Sequence, residues 1–408
     1  MEAPHHILPF PQPVAESREW VSEEIFHTGD AFFAGLLADV GQAKKSIELE
    51  FYIFEYDEVG ARVFQALKEA AARGVQVRLM VDGVGCPHWS RSSLKDVFTA
   101  GIEARIYRPF PWVRLGVRFF PKLFNFRKMS RWLQVLNRRN HRKVCLIDQK
   151  IAWVGSFNVT KAHLEEFAGE GAWRDSGVRV EGEEVKTLRV AFERAWTMAW
   201  SPFRKKTWFR KRGRWSASRS IRKADWIRPQ ALIRLNFAQF LRHQYYGGLL
   251  HRIGTCRERI WITSAYFIPE RPLVRALKMA AWGGVDVRIV IPKKSDVPIV
   301  RWLSLSLLYS LLRAGVRVYQ YHPRILHAKI LLIDEWATIG SCNFNHRSFH
   351  HDLEVDIVVQ KEESVRSLKR QFSTDLAFSE ELTLEKWKYK FWWERFLGRI
   401  VFFLRYWM

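Results

Sequence analysis

Cysteine is scarce and scattered. Cys86, Cys145, Cys256 and Cys342 form no C-x-x-C pair, which suggests neither a zinc site nor a disulfide framework and fits a reduced, cytoplasmic setting. Long apolar runs are also missing. The stretch WLSLSLLYSLL at 302–312, between Arg301 and Arg313, has eleven residues, too few to cross a hydrocarbon core of about 30 Å as a helix. The opening MEAPHHILPFPQPVAESREW has no basic start followed by an apolar run, so no signal peptide is read there. Acidic residues are in deficit. Against 66 Lys and Arg stand only 42 Asp and Glu, a formal charge of +24, which points to phosphate-bearing partners, either nucleic acid or anionic lipid. With 48% hydrophobic residues over 408 positions, the chain has enough apolar material for two cores of domain size.

The chain contains a long repeat. SIELEFYIFEYDEVGARVFQALKEAAARGVQVRLMVDG reads as a strand, a helix over 58–73, a stop at Gly74 and a strand over 75–81. RIWITSAYFIPERPLVRALKMAAWGGVDVRIVIP repeats the order, with a helix over about 271–282 and a stop at Gly283 and Gly284. Each unit leads to a short motif: NHRKVCLID at 140–148 and LHAKILLID at 326–334. An internal duplication follows. Gly74 and His141 are 67 residues apart, but Gly284 and His327 only 43, so the first half holds an insert of 24 residues, placed within 109–140. The expected organisation is a first repeat over 1–205, a basic linker over 206–230, a second repeat over 231–376 and an amphipathic tail over 377–408.

The repeated motif carries a coherent chemistry. His141 and Lys143 are two apart on a predicted strand, as are His327 and Lys329, so each pair shares a face. Asp148 and Asp334 complete the two motifs and close their strands at turns, where a structural role is expected. The chain then returns through QKIAWVGSFN or EWATIGSCN, which should bring Ser156 and Asn158 toward His141, and Ser341 and Asn343 toward His327. Six residues separate Asp148 from Gly155 but five separate Asp334 from Gly340. The second turn must be tighter, because a slip of one residue would flip every side chain. Two imidazoles can serve as nucleophile and proton donor on opposite sides of one phosphorus, and two ammonium groups and two carboxamides can hold its oxygens without a metal.

These motifs resemble those of the phospholipase D superfamily. The flanking signatures SAYFIPE (264–270), WRDS (173–176) and GSCNFNHRSFHHDLE (340–354) resemble those of short bacterial cardiolipin synthases without N-terminal transmembrane helices. The resemblance covers roughly 25–375. It implies an α/β fold of two fused mixed sheets flanked by helices, with the active site at the interface between the copies. It also implies a phosphohistidine intermediate resolved by an alcohol. His141 would be the nucleophile and His327 the general acid, then base. Lys143, Lys329, Asn158 and Asn343 would bind phosphate, and Asp175 and Glu354 stand where the family places a carboxylate to orient a histidine. No cofactor or metal is implied. The function expected is a phosphatidyltransferase making cardiolipin from phosphatidylglycerol. The alternatives are a lipid-hydrolysing phospholipase D and a nuclease of the same superfamily.

Three segments mix basic and aromatic residues. The stretch 109–140 carries eight Lys or Arg and no acid, 201–223 carries ten and none, and the chain ends KWKYKFWWERFLGRIVFFLRYWM. Such mixtures lie in a lipid headgroup layer or stack on nucleic acid; a solvated face or an oligomer contact is the blander reading. The tail's charges forbid spanning but suit an in-plane helix, so the expected setting is peripheral, on the cytoplasmic face of a bacterial inner membrane, with no nucleic acid partner. His346, His350 and His351 cluster within NHRSFHHD without a further visible ligand. The apolar segment 297–314 is read as a helix near the second motif, either core or the lining of an acyl-chain channel.

The basic aromatic segments predict a two-part anchor. Each Lys or Arg contributes about 1 kcal/mol toward an anionic leaflet, screened over about 8 Å at physiological salt, whereas ring insertion is insensitive to salt. Flotation with phosphatidylglycerol vesicles should fall with salt without vanishing, and deletion of 386–408 should make the remainder fully salt-sensitive. Equal retention of both chains at high salt removes the tail from the anchor.

Overall fold

The computed structural model describes residues 19–110, 113, 138–203, 231–297 and 307–385. Most of the 109–140 insert, the 206–230 linker and the stretch 386–408 therefore lie outside the described residues.

The local signals are realised closely. The first helix of the repeat unit runs Glu58–Ala72, capped by Asp57, whose carboxylate accepts from Val59 N and Gly60 N. Its counterpart runs Arg271–Trp282, with proline in its first turn. Both helices end at a glycine in the left-handed region, Gly74 at φ +88° and Gly284 at φ +86°, a conformation that L side chains rarely adopt.

The first sheet has the order β1-β7-β6-β5-β2-β3-β4. Its strands are β1 (Ser22–Phe26), β2 (Ser46–Phe51), β3 (Gln76–Asp82), β4 (Glu103–Tyr107), β5 (Val144–Ile147), β6 (Ile151–Gly155) and β7 (Gly177–Glu181). The second sheet, read in the matching direction, has the order β8-β14-β13-β12-β9-β10-β11-β15. It comprises β8 (Ile233–Leu235), β9 (Arg259–Thr263), β10 (Asp286–Pro292), β11 (Arg317–Tyr321), β12 (Ile330–Ile333), β13 (Trp336–Gly340), β14 (Val355–Val359) and β15 (Ser379–Glu381). Strand for strand the two are one topology used twice. Three parallel strands, β2-β3-β4 and β9-β10-β11, border an antiparallel set in each. The second sheet gains β15, which pairs antiparallel with β11, and Leu382 N donates to Val318 O. The second repeat therefore continues past residue 376, the boundary expected from sequence: Ala377 ends the helix Glu362–Ala377 and Ser379–Glu381 add a strand to the sheet.

Alternation along the strands builds a layered molecule. Val144 and Leu146 of β5 and Ile330 and Leu332 of β12 enter one core shared by both sheets, with the helices Val185–Met198 and Glu362–Ala377. Cys145 and Ile147 face an outer core under the helices Gly29–Gln42, Glu58–Ala72 and Arg91–Thr99. Leu331 and Ile333 face a third core under Gln239–Thr255 and Arg271–Trp282. Of the apolar segment 297–314, helix is described over 307–312; Leu308 and Leu311 are core, while Leu307 and Ser310 line a groove. Polar pairs also cross between the halves. Arg174 and Asp375 form a buried ion pair at 3.0 Å, and Trp20 Nε1 donates to Val358 O. Breaking a buried pair on one side costs about 3–5 kcal/mol, so this contact fixes how the halves sit. Among the described residues no helix is long and apolar enough to cross a membrane.

The unequal turns resolve as expected. Ile147 pairs with Ile151 across three turn residues, and Ile333 with Trp336 across two. The extra residue is taken up by left-handed backbone at both Asp148 and Gln149, and Val144↔Val154 matches Ile330↔Ile339. The two motif aspartates sit in these turns. Asp148 accepts from Lys44, Lys45 and Ser46 N–H at 2.9, 2.7 and 2.9 Å, and Asp334 accepts from Arg257, Glu258 and Arg259 N–H at 3.1, 2.9 and 3.1 Å. Burial would raise the Asp334 carboxyl, but the backbone N–H groups of Glu258, Arg257 and Arg259 outweigh it and bring it down to about 2.

Asp148→Ala and Asp334→Ala should each lower the unfolding free energy in urea by about 2 kcal/mol, the loss of charge-assisted backbone caps. The Asp334 contribution belongs to a carboxyl whose folded pKa is depressed. It is present in full above about pH 4 and is lost as pH falls toward 2. A deficit that did not shrink on acidification would contradict the assignment.

Candidate active site

Each histidine sits just before its strand, because the chain there pairs with the opposite half. A one-residue parallel bridge joins Asn140 to Leu353, and its counterpart joins Leu326 to Arg174. His141 N donates to Leu353 O at 3.0 Å, and His327 N donates to Arg174 O at 2.8 Å. The residues following those acceptors are Asp175 and Glu354, so the bridges carry each carboxylate to the other half's imidazole. Glu354 lies 3.1 and 3.2 Å from His141 Nδ1, and Asp175 Oδ1 lies 2.8 Å from His327 Nδ1. With Nδ1 committed, Nε2 is the reactive nitrogen of both rings.

The second hairpin's serine acts through the carboxylate of the opposite half's histidine. Ser341 Oγ donates to Glu354 Oε2 at 2.5 Å, and Ser348 Oγ donates to Oε1 at 2.7 Å, so both support His141. Asn158 N donates to His163 Nε2 at 3.2 Å. His163 must then carry its proton on Nδ1, which donates to Asp175 Oδ2 at 2.7 Å, and Asp175 orients His327. In the second half Asn343 N donates to Ser348 Oγ at 3.3 Å. His163 and Ser348 thus occupy the same place, five residues after the asparagine. The short carboxylate, Asp175, is paired with the long relay residue, and the long carboxylate, Glu354, with the short one. Ser156 Oγ instead ties β6 to β7, accepting from Ser176 N and donating to Ser176 O. The carboxamide oxygens of Asn158 and Asn343 accept from Ile53 N and Tyr266 N, both at 3.3 Å. Their Nδ2 groups have no partner among the described residues and are available to a phosphate oxygen.

Lys143 Nζ donates to His141 O at 2.7 Å, and Lys329 Nζ donates to His327 O. This curls each ammonium back to the base of its own histidine. Both are buried. Burial and then the charge of Lys329 bring Lys143 down to about 7, and burial brings Lys329 down to about 8. His141 is held well below its ordinary value by burial, then by Lys143 and Lys329. His327 is pulled down by burial and Lys329, with Asp175 acting the other way. The carboxylates differ. Burial would raise Asp175, but His327 and His163 hold it well below the usual range. Burial pushes Glu354 up to about 7 despite Lys143 and its two serines. A bound anion would oppose the mutual repulsion of the two lysines.

Sequence reasoning missed several neighbours. Tyr52 packs 4.9 Å from the His141 ring and 5.3 Å from Lys143 Nζ, and Trp173 packs 5.4 Å from the His327 ring. Tyr266 donates to Asp296 at 2.6 Å beside the second motif. The repeated tyrosine in FYIFE and AYFIPE, and the spacing of His163 from Asn158, were the signals available. Apart from this centre, Glu270 joins His346 and His350, a third side chain of that cluster that sequence did not reveal.

The sequence profile of the family described as "Cardiolipin synthase, PLD-like domain" matches residues 36–196 and 249–376, one stretch in each half. Cardiolipin synthase 1 of Bacillus anthracis is 32% identical over 375 residues, covering 89% of this chain and 67% of the relative. A cardiolipin synthase of Halalkalibacterium halodurans is 32% identical over 385 residues, covering 92% and 70%. Among solved structures, the phosphatidylserine synthase of Haemophilus influenzae shares the fold, with a TM-score of 0.66 at 14% identity over 93% of this chain and 91% of that one. With both halves matched, each around its own His and Lys, the chain belongs to the phospholipase D-like cardiolipin synthase family.

Proposed function

We propose that the chain is a membrane-surface phosphatidyltransferase that makes cardiolipin from two phosphatidylglycerol molecules through a phosphohistidine. The observation that carries this reading is the pair of imidazoles, each with Nδ1 bound to a carboxylate of the opposite half and each with a buried lysine at its base. In the first step His141 Nε2 attacks the phosphorus and the P–O bond to the glycerol headgroup breaks. His327 Nε2–H gives its proton to the departing alkoxide. In the second step a headgroup hydroxyl of another phosphatidylglycerol gives its proton to His327 and attacks the same phosphorus. The P–N bond breaks and cardiolipin leaves. Lys143, Lys329, Asn158 and Asn343 hold the non-bridging oxygens throughout.

The partners of the two histidines support this order. A general acid must hold a proton when the substrate arrives, and the firmly ionised Asp175 favours imidazolium at His327 once the phosphate offsets the lysines. Glu354, raised to about 7 and shared between two serines, exerts a weaker pull, and His141 stays a neutral nucleophile. The basic aromatic segments hold the enzyme on the anionic leaflet that contains its substrate, on the cytoplasmic face.

His141→Ala and His327→Ala should each cut cardiolipin formation by about 10²–10⁴, read as cardiolipin and glycerol released from phosphatidylglycerol vesicles. A phosphatidyl ester of p-nitrophenol needs no proton on its leaving group, so the first-turnover burst of nitrophenol should recover in His327→Ala and not in His141→Ala. Recovery in His141→Ala reverses the order. Either variant keeping more than about a hundredth of the activity defeats the two-histidine mechanism, and phosphatidic acid as the main product makes the enzyme a hydrolase.

A further inference from the structure

Beyond the catalytic centre, three ligating side chains converge at one end of a groove of about 910 Å³. His346 and His350 lie four apart on the single helical turn His346–His350, which puts both rings on one face, with centroids 4.7 Å apart. Glu270, at the end of the loop that leaves β9, meets both: its Oε1 lies 3.0 Å from His350 Nε2 and also accepts from His346 Nδ1. One ligand atom from each of the three lies within 4.8 Å of the others. Two imidazoles and a carboxylate are a frequent donor set for zinc, with ligand distances of about 2.0–2.2 Å.

A second observation points the same way. The Tyr246 hydroxyl turns toward Glu270, whose carboxylate bears on it. Its ring lies 5.6 Å from His350.

We propose that Glu270, His346 and His350 form a binding site for one divalent transition-metal ion, with zinc the best fit. The remaining coordination positions go to water or to an anion, which Arg271, Arg275 and Lys278 along the same groove favour. The ion acts as a staple. It joins the loop after β9, where Tyr266 N holds Asn343, to the helical turn bearing Ser348, whose hydroxyl holds Glu354. It takes no part in the phosphoryl transfer steps.

The test uses the full chain without an affinity tag, stripped with chelator and exchanged into metal-free buffer. Titration with Co²⁺ should give visible d–d absorption saturating at one ion per chain, with no thiolate charge-transfer band, and Zn²⁺ should bleach it. Zn²⁺ should raise Tm, as ligation of the folded state requires, and Mg²⁺ should not. Glu270→Gln and the double variant His346→Ala/His350→Ala should each weaken Co²⁺ binding by roughly tenfold or more and lose the Zn²⁺ shift. Glu270→Gln keeps the shape of the side chain and serves if the double variant does not fold. A wild-type chain that takes up no Co²⁺, or binding untouched in Glu270→Gln, overturns the site.

Discussion

The structure turns on an exchange of carboxylates. Asp175 from the first half orients His327 of the second, and Glu354 from the second orients His141 of the first. Neither half supplies the carboxylate that its own motif histidine uses. The shared core, the buried Arg174–Asp375 pair and the reciprocal bridges at Asn140–Leu353 and Leu326–Arg174 all set the one distance that matters, that between a ring and a carboxylate carried by the other sheet. Duplication thus supplies more than two copies of a motif. It makes each copy depend on the other.

The copies have since diverged where their roles differ. Asp175 is backed by His163 and Glu354 by Ser348, the lengths compensating within each pair. The first arrangement keeps a carboxylate ionised between two imidazoles; the second lets burial bring a carboxyl up to about 7. A pseudo-symmetric scaffold therefore presents two chemically unequal histidines, an asymmetry that the proposed division into nucleophile and proton donor would use.

Much of this was legible in the sequence, for local reasons. The helices over 58–73 and 271–282, the stops at Gly74 and Gly284, the duplicated His and Lys, and the tighter second turn all follow from patterns a few residues long. The crosswise pairing was not legible, because residues next to one another in the motif look like partners and nothing in the chain says which half a carboxylate will face. His163 was hidden because its counterpart is a serine, so the repeat did not flag it. β15 was hidden because three residues with no apolar alternation carry no strand signal, and it forms only because β11 offers an open edge. Glu270 stands 76 residues from His346, beyond the reach of any spacing rule.

The crosswise pairing is open to direct measurement. In a chain labelled with ¹⁵N-histidine, the Nδ1 protons of His141 and His327 should resonate far downfield because each is held by a buried carboxylate, and single histidine variants assign them. Glu354→Gln should shift or abolish the His141 signal and leave that of His327 in place, and Asp175→Asn should do the reverse. If Glu354→Gln instead moved the His327 signal, each half would be supplying its own carboxylate and the exchange would be refuted.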